Sequence, residues 1–337
     1  MATMLDQVWG MVQESTFNTP ATVTRFYART DDTKHEWDNR RRMGTGLVAG
    51  GRRTSLGSRT YVPTGIGTIT VKLPVEDKSF GYLATAAFGV GSVAVITGGA
   101  QQTFTEAVTG TVLPSYTIQF QDVMNNGTVV TTTYSGCTAS KVALEQGNET
   151  ELTLTVTFDA VSRSTSIGAA TKAYTLGTIF DSYQATVGLG GTLTAPTTTT
   201  LASGLTAFAD MRSWKLDIDQ KISINRWNLN GGVRLQPVAG MPDVKWSGEI
   251  EWNATTWPVA LVAGSILPWY VTYTTTNSLG AGFTTLQVAV PQLAVTKGTQ
   301  EPKMDGSVST FPIEATVTND GSHPDFWVLY QSTDVAA

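Results

Sequence analysis

The chain has 337 residues, 15% of them charged, with a formal net charge of −5 and a single cysteine. That length exceeds one comfortable hydrophobic core and suits two domains of ordinary size; the negative balance excludes a global attraction to nucleic acid or anionic lipid, and a lone thiol excludes an internal disulfide and fits folding in a reducing cytoplasm. No apolar run approaches the roughly 20 residues of a membrane helix, and the first residues do not read as a basic-then-apolar leader.

In chain order, Leu5, Val8, Trp9 and Val12 recur too briefly to separate helix from strand. A polar arm to residue 22 passes through Pro20, which favours extended backbone before it, and leads to a strand over 23–29. Residues 30–64 read as a long loop rich in Gly and Arg, and loops of this length are usually functional or disordered. Between Arg25 and Arg59 nine basic residues face four acidic ones, a local charge of +5 that leaves −10 for the rest. Gly67–Leu73 reads as a strand. Phe80, Leu83, Ala84, Ala87 and Phe88 then form the stripe of an amphipathic helix, which Gly89 is placed to end. Strands follow over 93–97, 111–120 and 128–134, the last two joined by the hairpin signal Asn126-Gly127. Ser135-Gly136-Cys137 reads as a kink or bulge, with a further strand segment to Leu144 and a polar turn over 145–149. In the return strand Leu152, Leu154, Val156 and Phe158 point one way and Thr153, Thr155 and Thr157 the other, which is period two with one dry face. Residues 171–187 add a strand or two, and the Thr- and Gly-rich run that follows reads as a linker.

The second half repeats the first. Residues 214–224 read as a strand pair, and Gly248–Asn253 matches Gly67–Lys72 in pattern. A short helix from Trp257 has Pro258 in its first turn and Gly264 as its stop, strands follow over 269–275 and 286–290, and 292–298 with 309–317 parallels the unit from Thr131 to Ala160. The recurrence implies one module used twice. The expected architecture is mainly β: two tandem β-sandwich or barrel domains, each with one short flanking helix and long loops. Their expected bounds are an arm at 1–22, a first domain at 23–187, a linker at 188–206 and a second domain at 207–337.

Chemistry has few residues to stand on. His35 and His323 have no partner at metal or triad spacing and read as solvated loop residues. Cys137, with no nearby base, reads as a small buried hydrophobe. Asp217 and Asp219 alternate with Leu216 and Ile218 and read as a solvated sheet face rather than a metal pair. Gly89-Val90-Gly91-Ser92 follows a helix, the wrong context for a phosphate loop. The sequence therefore offers no catalytic, cofactor-binding or metal-ligating residues, and the expectation is a protein that is not an enzyme. Arg40, Arg41, Arg42, Arg52 and Arg53 could grip phosphate, but no aromatic platform interleaves with them. Docking onto the acidic body of a neighbouring copy, between rings or between subunits, is the preferred reading over nucleic-acid contact or a solvated loop.

Gly10, Glu14, Ser15 and Thr19 of the arm, the long loop, the Gly67 strand, the single short helix and then Tyr134-Ser135-Gly136-Cys137 entering the closing hairpin form an order that resembles the tail tube proteins of long-tailed bacteriophages. Tyr134, Gly136 and Cys137 are the most specific part; in the second half Val290-Pro291-Gln292 stands in their place. The resemblance implies a β-sandwich or small barrel with a flanking helix, related to the haemolysin-coregulated tube of type VI secretion. It also implies six such domains per ring and rings stacked into a hollow tube through which DNA passes without specific binding. Two domains per chain then imply homotrimeric, pseudo-hexameric rings, with homohexameric rings as the alternative. Other implied partners are a tape measure protein, a tail terminator and a distal tail protein; the implied location is the virion, after synthesis in the host cytoplasm, with no membrane. Rival readings are a surface adhesin or carbohydrate-binding β-protein, suggested by nine tryptophans, and a β-sandwich lyase or glycosidase, which needs two carboxylates facing each other in a cleft.

Overall fold

A computed structural model describes residues 7–38, 41–43, 58–60, 66–89, 91–175, 177–223, 226, 234–252, 256–280, 282–299 and 308–334, with backbone alone at 41–43, 58–60 and 256. The chain is mainly β and, among the described residues, its strands pair with one another antiparallel, with one isolated parallel bridge from Phe26 to Tyr174. The first half comprises β1 (Val8–Gln13), β2 (Arg25–Ala28), β3 (Lys34–Asp38), β4 (Arg41–Met43), β5 (Ser58–Thr60), β6 (Ile66–Pro74), α1 (Phe80–Phe88), β7 (Gly91–Ile96), β8 (Gly99–Phe104), β9 (Tyr116–Val123), β10 (Val129–Gln146), β11 (Thr153–Ala160) and β12 (Ser162–Ser164). The second comprises β13 (Ala185–Thr194), β14 (Ser203–Ala207), β15 (Met211–Asp219), β16 (Asp243–Glu251), α2 (Thr256–Ala263), β17 (Ile266–Leu279), β18 (Gly282–Gly298), β19 (Thr310–Val317) and β20 (Trp327–Ser332).

Two long strands organise the pairing. The first part of β10 lies between β9 and β12, with β1 and β2 beyond β9. After a bulge at Gly136, where φ is +64°, its second part lies between β11 and β15. In the same way the first part of β18 lies between β17 and β20, with β13 and β14 beyond β17, and its second part pairs with β19. The hairpin β7 and β8 of the first half extends this latter sheet through β20. The result is a long open sheet in the order β3, β6, β11, β10, β15, β16, β19, β18. One apolar cluster backs it, running from Trp9 and Phe120 through Leu144 and Leu216 to Trp269 and Val288. α1 packs on β10 and α2 on β18.

The pairing order therefore recurs: β1, β2, β3, β6, α1, β9, β10 and β11 connect as β13, β14, β15, β16, α2, β17, β18 and β19 do. Even the irregularities coincide, since a bulge falls between Ala139 and Lys141 in β10 and between Val295 and Lys297 in β18. This register corrects the residue matching expected from sequence. Ile69 lies opposite Phe158 and Trp246 opposite Ala315, so Gly248 stands at the place of Val71, not Gly67, and Lys297 at the place of Lys141. Gly248 misled the pattern because it is small for a local reason: a side chain there would meet the Trp246 indole at 2.6 Å.

Other expectations also change. The expected linker at 188–206 holds most of β13 and β14, a hairpin bound to β17. Threonine is β-branched and suits strands, Gly191 and Gly204 supply the positive φ its irregular register needs, and Thr197 with Thr200 closes the turn. Part of the expected loop at 30–64 is strand, because Lys34–Asp38 alternates exposed Lys34, Glu36 and Asp38 with inward His35 and Trp37. The strand expected from 111 begins at Tyr116, the pair expected over 214–224 is the single strand β15, and β8 and β20 were not anticipated. The helices at 80–88 and 256–263 and the hairpin at Asn126-Gly127 form as expected.

Candidate assembly surface

The Thr and charged positions of the long sheet share one face, opposite the core. Glu36, Asp38, Glu145, Asp159, Asp217, Asp219, Asp243, Glu249 and Glu314 stand there against Lys34, Lys72, Lys141, Lys215, Lys245 and Lys297. Among the described residues, every one of these lysines except Lys34 has a carboxylate within 4 Å: Lys72 with Glu145 at 2.9 Å, Lys215 with Asp217 at 3.1 Å, Lys245 with Asp243 at 3.1 Å, Lys297 with Glu314 at 2.7 Å, and Lys141 with Asp219 at 3.9 Å. Burial pushes the Asp219 carboxyl up, but the Lys221 N–H and ammonium outweigh it and hold Asp219 below the usual carboxylate range. The hydrogen bond to Glu145 raises Lys72. The face is polar and carboxylate-rich, with most of its lysines paired, which agrees with the solvated-face reading of Asp217 and Asp219.

At the middle of this sheet the two halves meet edge to edge. Lys141 lies opposite Asp219, Leu144 opposite Leu216 and Glu145 opposite Lys215. The inward residues of that seam, Val142, Leu144, Leu216 and Ile218, are all buried. At its two ends, among the described residues, β3 pairs only with β6, and Lys297 and Gly298 of β18 pair only with β19.

Tyr134, Gly136 and Cys137 form a junction rather than a reactive site. The Gly136 N–H donates to Glu14 Oε1 at 2.9 Å, the Thr117 hydroxyl donates to the same oxygen at 2.9 Å, and the Asn18 N–H donates to Oε2 at 2.8 Å. A buried carboxylate from the arm thus satisfies the donor exposed by the kink, which physically links the Gly10–Thr19 and Tyr134–Cys137 segments. Cys137 is fully buried, and burial pushes its thiol up. Tyr134 reaches the edge strand: its hydroxyl lies 2.8 Å from His35 Nδ1, while His35 Nε2 lies 3.2 Å from Asp122 Oδ2. His35 is therefore not a solvated loop residue, contrary to the sequence reading. Period two in Lys34-His35-Glu36-Trp37 was the signal that would have placed it inward. Burial raises the Asp122 carboxyl, but the His35 hydrogen bond and Arg29 lower it further. His323 sits in a tight turn, 2.7 Å from Asp320, whose carboxyl is held down to about 2 by that bond and by the N–H groups of Ser322 and His323.

Of the arginine cluster, Arg40, Arg52 and Arg53 lie outside the described residues, and Arg41 and Arg42 lie on β4, paired with β5, as backbone. Trp214, Trp246 and Trp269 are buried, while Trp252 is 38% exposed against Phe311. A pocket of about 200 Å³ between β2, β6 and α1 is walled mainly by Phe26, Tyr27, Leu73, Pro74 and Leu83. No protein-family model matches the chain, and no curated protein matches it.

Proposed function

We propose that this protein is a structural subunit that assembles into stacked rings forming a hollow tube of the phage tail type, through which DNA passes. The observation that carries the reading is the edge-to-edge seam of β10 on β15, where two runs with the same pairing order become one open sheet. A sheet so built has ends that ask for another copy, since unpaired strand edges are left either to be covered or to pair. A head-to-tail contact of this kind closes into a ring when its rotation allows. The exposed face suits the inside of a conduit: free cations would bind each passing phosphate and add sequence-independent affinity, whereas here carboxylates outnumber lysines and nearly all the lysines are paired.

Two modules per chain give three chains per six-module ring. The adhesin alternative calls for tryptophans gathered on one exposed face, and the burial of Trp214, Trp246 and Trp269 weighs against it. Negative-stain microscopy of purified protein tests the function. Annuli or rods are expected, and uniformly isolated particles at high concentration would overturn it.

A further inference from the structure

We infer that the ring closes by a specific strand register: β18 of one copy pairs antiparallel with β3 of the next, with Lys297 opposite Asp38 of that next copy. The inference rests on the ring reading above and adds the partner strand, its direction and its register.

Counting outward from the coincident bulges, Lys297 occupies the place of Lys141. Counting along the neighbouring strands, Trp37 opposite Gly67 corresponds to Ile218 opposite Val244, and His35 opposite Ile69 to Leu216 opposite Trp246. Lys34, Glu36 and Asp38 therefore occupy the places of Lys215, Asp217 and Asp219. β3 and β15 were matched by pairing alone, yet they carry the same charge pattern: lysine, acid, acid at alternate positions on the polar face. Their partners also correspond, lysine at 141 and lysine at 297.

Inside the chain this pattern is already matched across the seam, Lys141 facing Asp219 at 3.9 Å. Applied between chains, the same register puts Lys297 against Asp38 and Gly298 against Trp37. Opposite charges directly across an antiparallel pair stabilise it and like charges oppose it, so a slip of four residues, which would set Lys297 against Lys34, is disfavoured. A slip of one would turn the inward Trp37 to the polar face. Within a single chain β3 and the end of β18 terminate opposite edges of the eight-strand sheet, so the contact belongs to a second copy.

The test uses cysteine pairs in the full-length protein, whose own Cys137 is fully buried. Asp38→Cys with Lys297→Cys, treated with a short bifunctional thiol reagent, is expected to give covalent dimers and trimers on a denaturing gel. Lys34→Cys with Lys297→Cys, about four residues out of register and so roughly 13 Å apart, is expected to remain monomeric. As a measurement without substitutions, hydrogen exchange of the amides at 34–38 is expected to slow at least tenfold on ring formation. If microscopy shows rings but the Asp38 pair does not link and those amides gain no protection, the register is wrong while the tube reading survives. If no rings form and neither pair links, both fall.

Discussion

β10 and β18 perform the same topological task with different chemistry at the bend. β10 turns at Gly136, whose N–H is received by the buried Glu14 carboxylate. β18 turns at Val290-Pro291-Gln292, where the proline has no N–H to satisfy, and Thr318 returns to the Gln292 carbonyl instead. Past their bends they differ again. β10 finds β15, and a leucine pair is buried across the seam, whereas among the described residues the end of β18 at Lys297 and Gly298 pairs on one side only, with β19. At the bends the two halves share backbone topology but not residues: the first receives the N–H of a glycine on a buried carboxylate, and the second places a proline, which has no N–H, at the corresponding turn.

The largest break in that comparison comes at the seam itself. Leu216→Ala removes a fully buried side chain between Leu144 and Trp246 and is expected to cost about 3 kcal/mol in urea unfolding. His35, at the equivalent place on the free edge, is bound through two polar contacts, and His35→Ala is expected to cost about 1 kcal/mol. Equal losses at the two positions would mean that the seam anchors its inward side chains no more firmly than the edge does.

At the bends, Glu14→Ala strands the Gly136 and Asn18 N–H groups and the Thr117 hydroxyl, and is expected to cost about 3 kcal/mol. Gln292→Ala in the other bend removes one long contact, from the Thr318 hydroxyl at 3.3 Å, and is expected to cost about 0.5 kcal/mol. The same unfolding series measures both.

A further contact ties Asp334 to the first half. Arg25 donates to both oxygens of Asp334, at 3.0 and 2.9 Å, and the Ser79 N–H donates to one of them at 2.6 Å, at the start of α1. Burial raises the Asp334 carboxyl, but Arg25 and Ser79 hold it below the ordinary value. A depressed carboxylate contributes stability that is present above its unfolded pKa and is lost as pH falls through its folded one. Asp334→Asn is therefore expected to lower stability by about 1 kcal/mol at neutral pH and to flatten the acid limb below about pH 4. Asp159, raised by burial, works in the opposite direction and softens that limb. On the surface, charge reversal at Arg40, Arg41 and Arg42 is expected to leave unfolding unchanged within about 0.5 kcal/mol while stopping filament growth, visible as rings that do not stack.

The closing hairpin was legible because Leu154, Val156 and Phe158 alternate with threonines; α1 was legible from its apolar stripe and Gly89, and α2 from Pro258 in its first turn and Gly264 at its end. The hairpin at 185–207 was not, because glycine and threonine repeats look the same in a linker and in an irregular hairpin whose only deeply buried anchor among its strands is Leu189. The exact repeat register was hidden for a different reason. Sequence matching aligned Gly67 with Gly248, and each is crowded by an indole, Trp37 at Gly67 and Trp246 at Gly248, but the two stand at different places in the pairing order. The charged face could be read residue by residue, yet the pairing of its lysines depends on which strands are neighbours, and the β10 to β15 seam joins positions that no local pattern connects.

The central claim is that two like-connected modules, joined edge to edge, repeat around a ring. Native mass measurement of a single released ring tests it most directly. Three chains of 35.9 kDa each are expected; six chains per ring, or a protein that stays monomeric under assembling conditions, would contradict it.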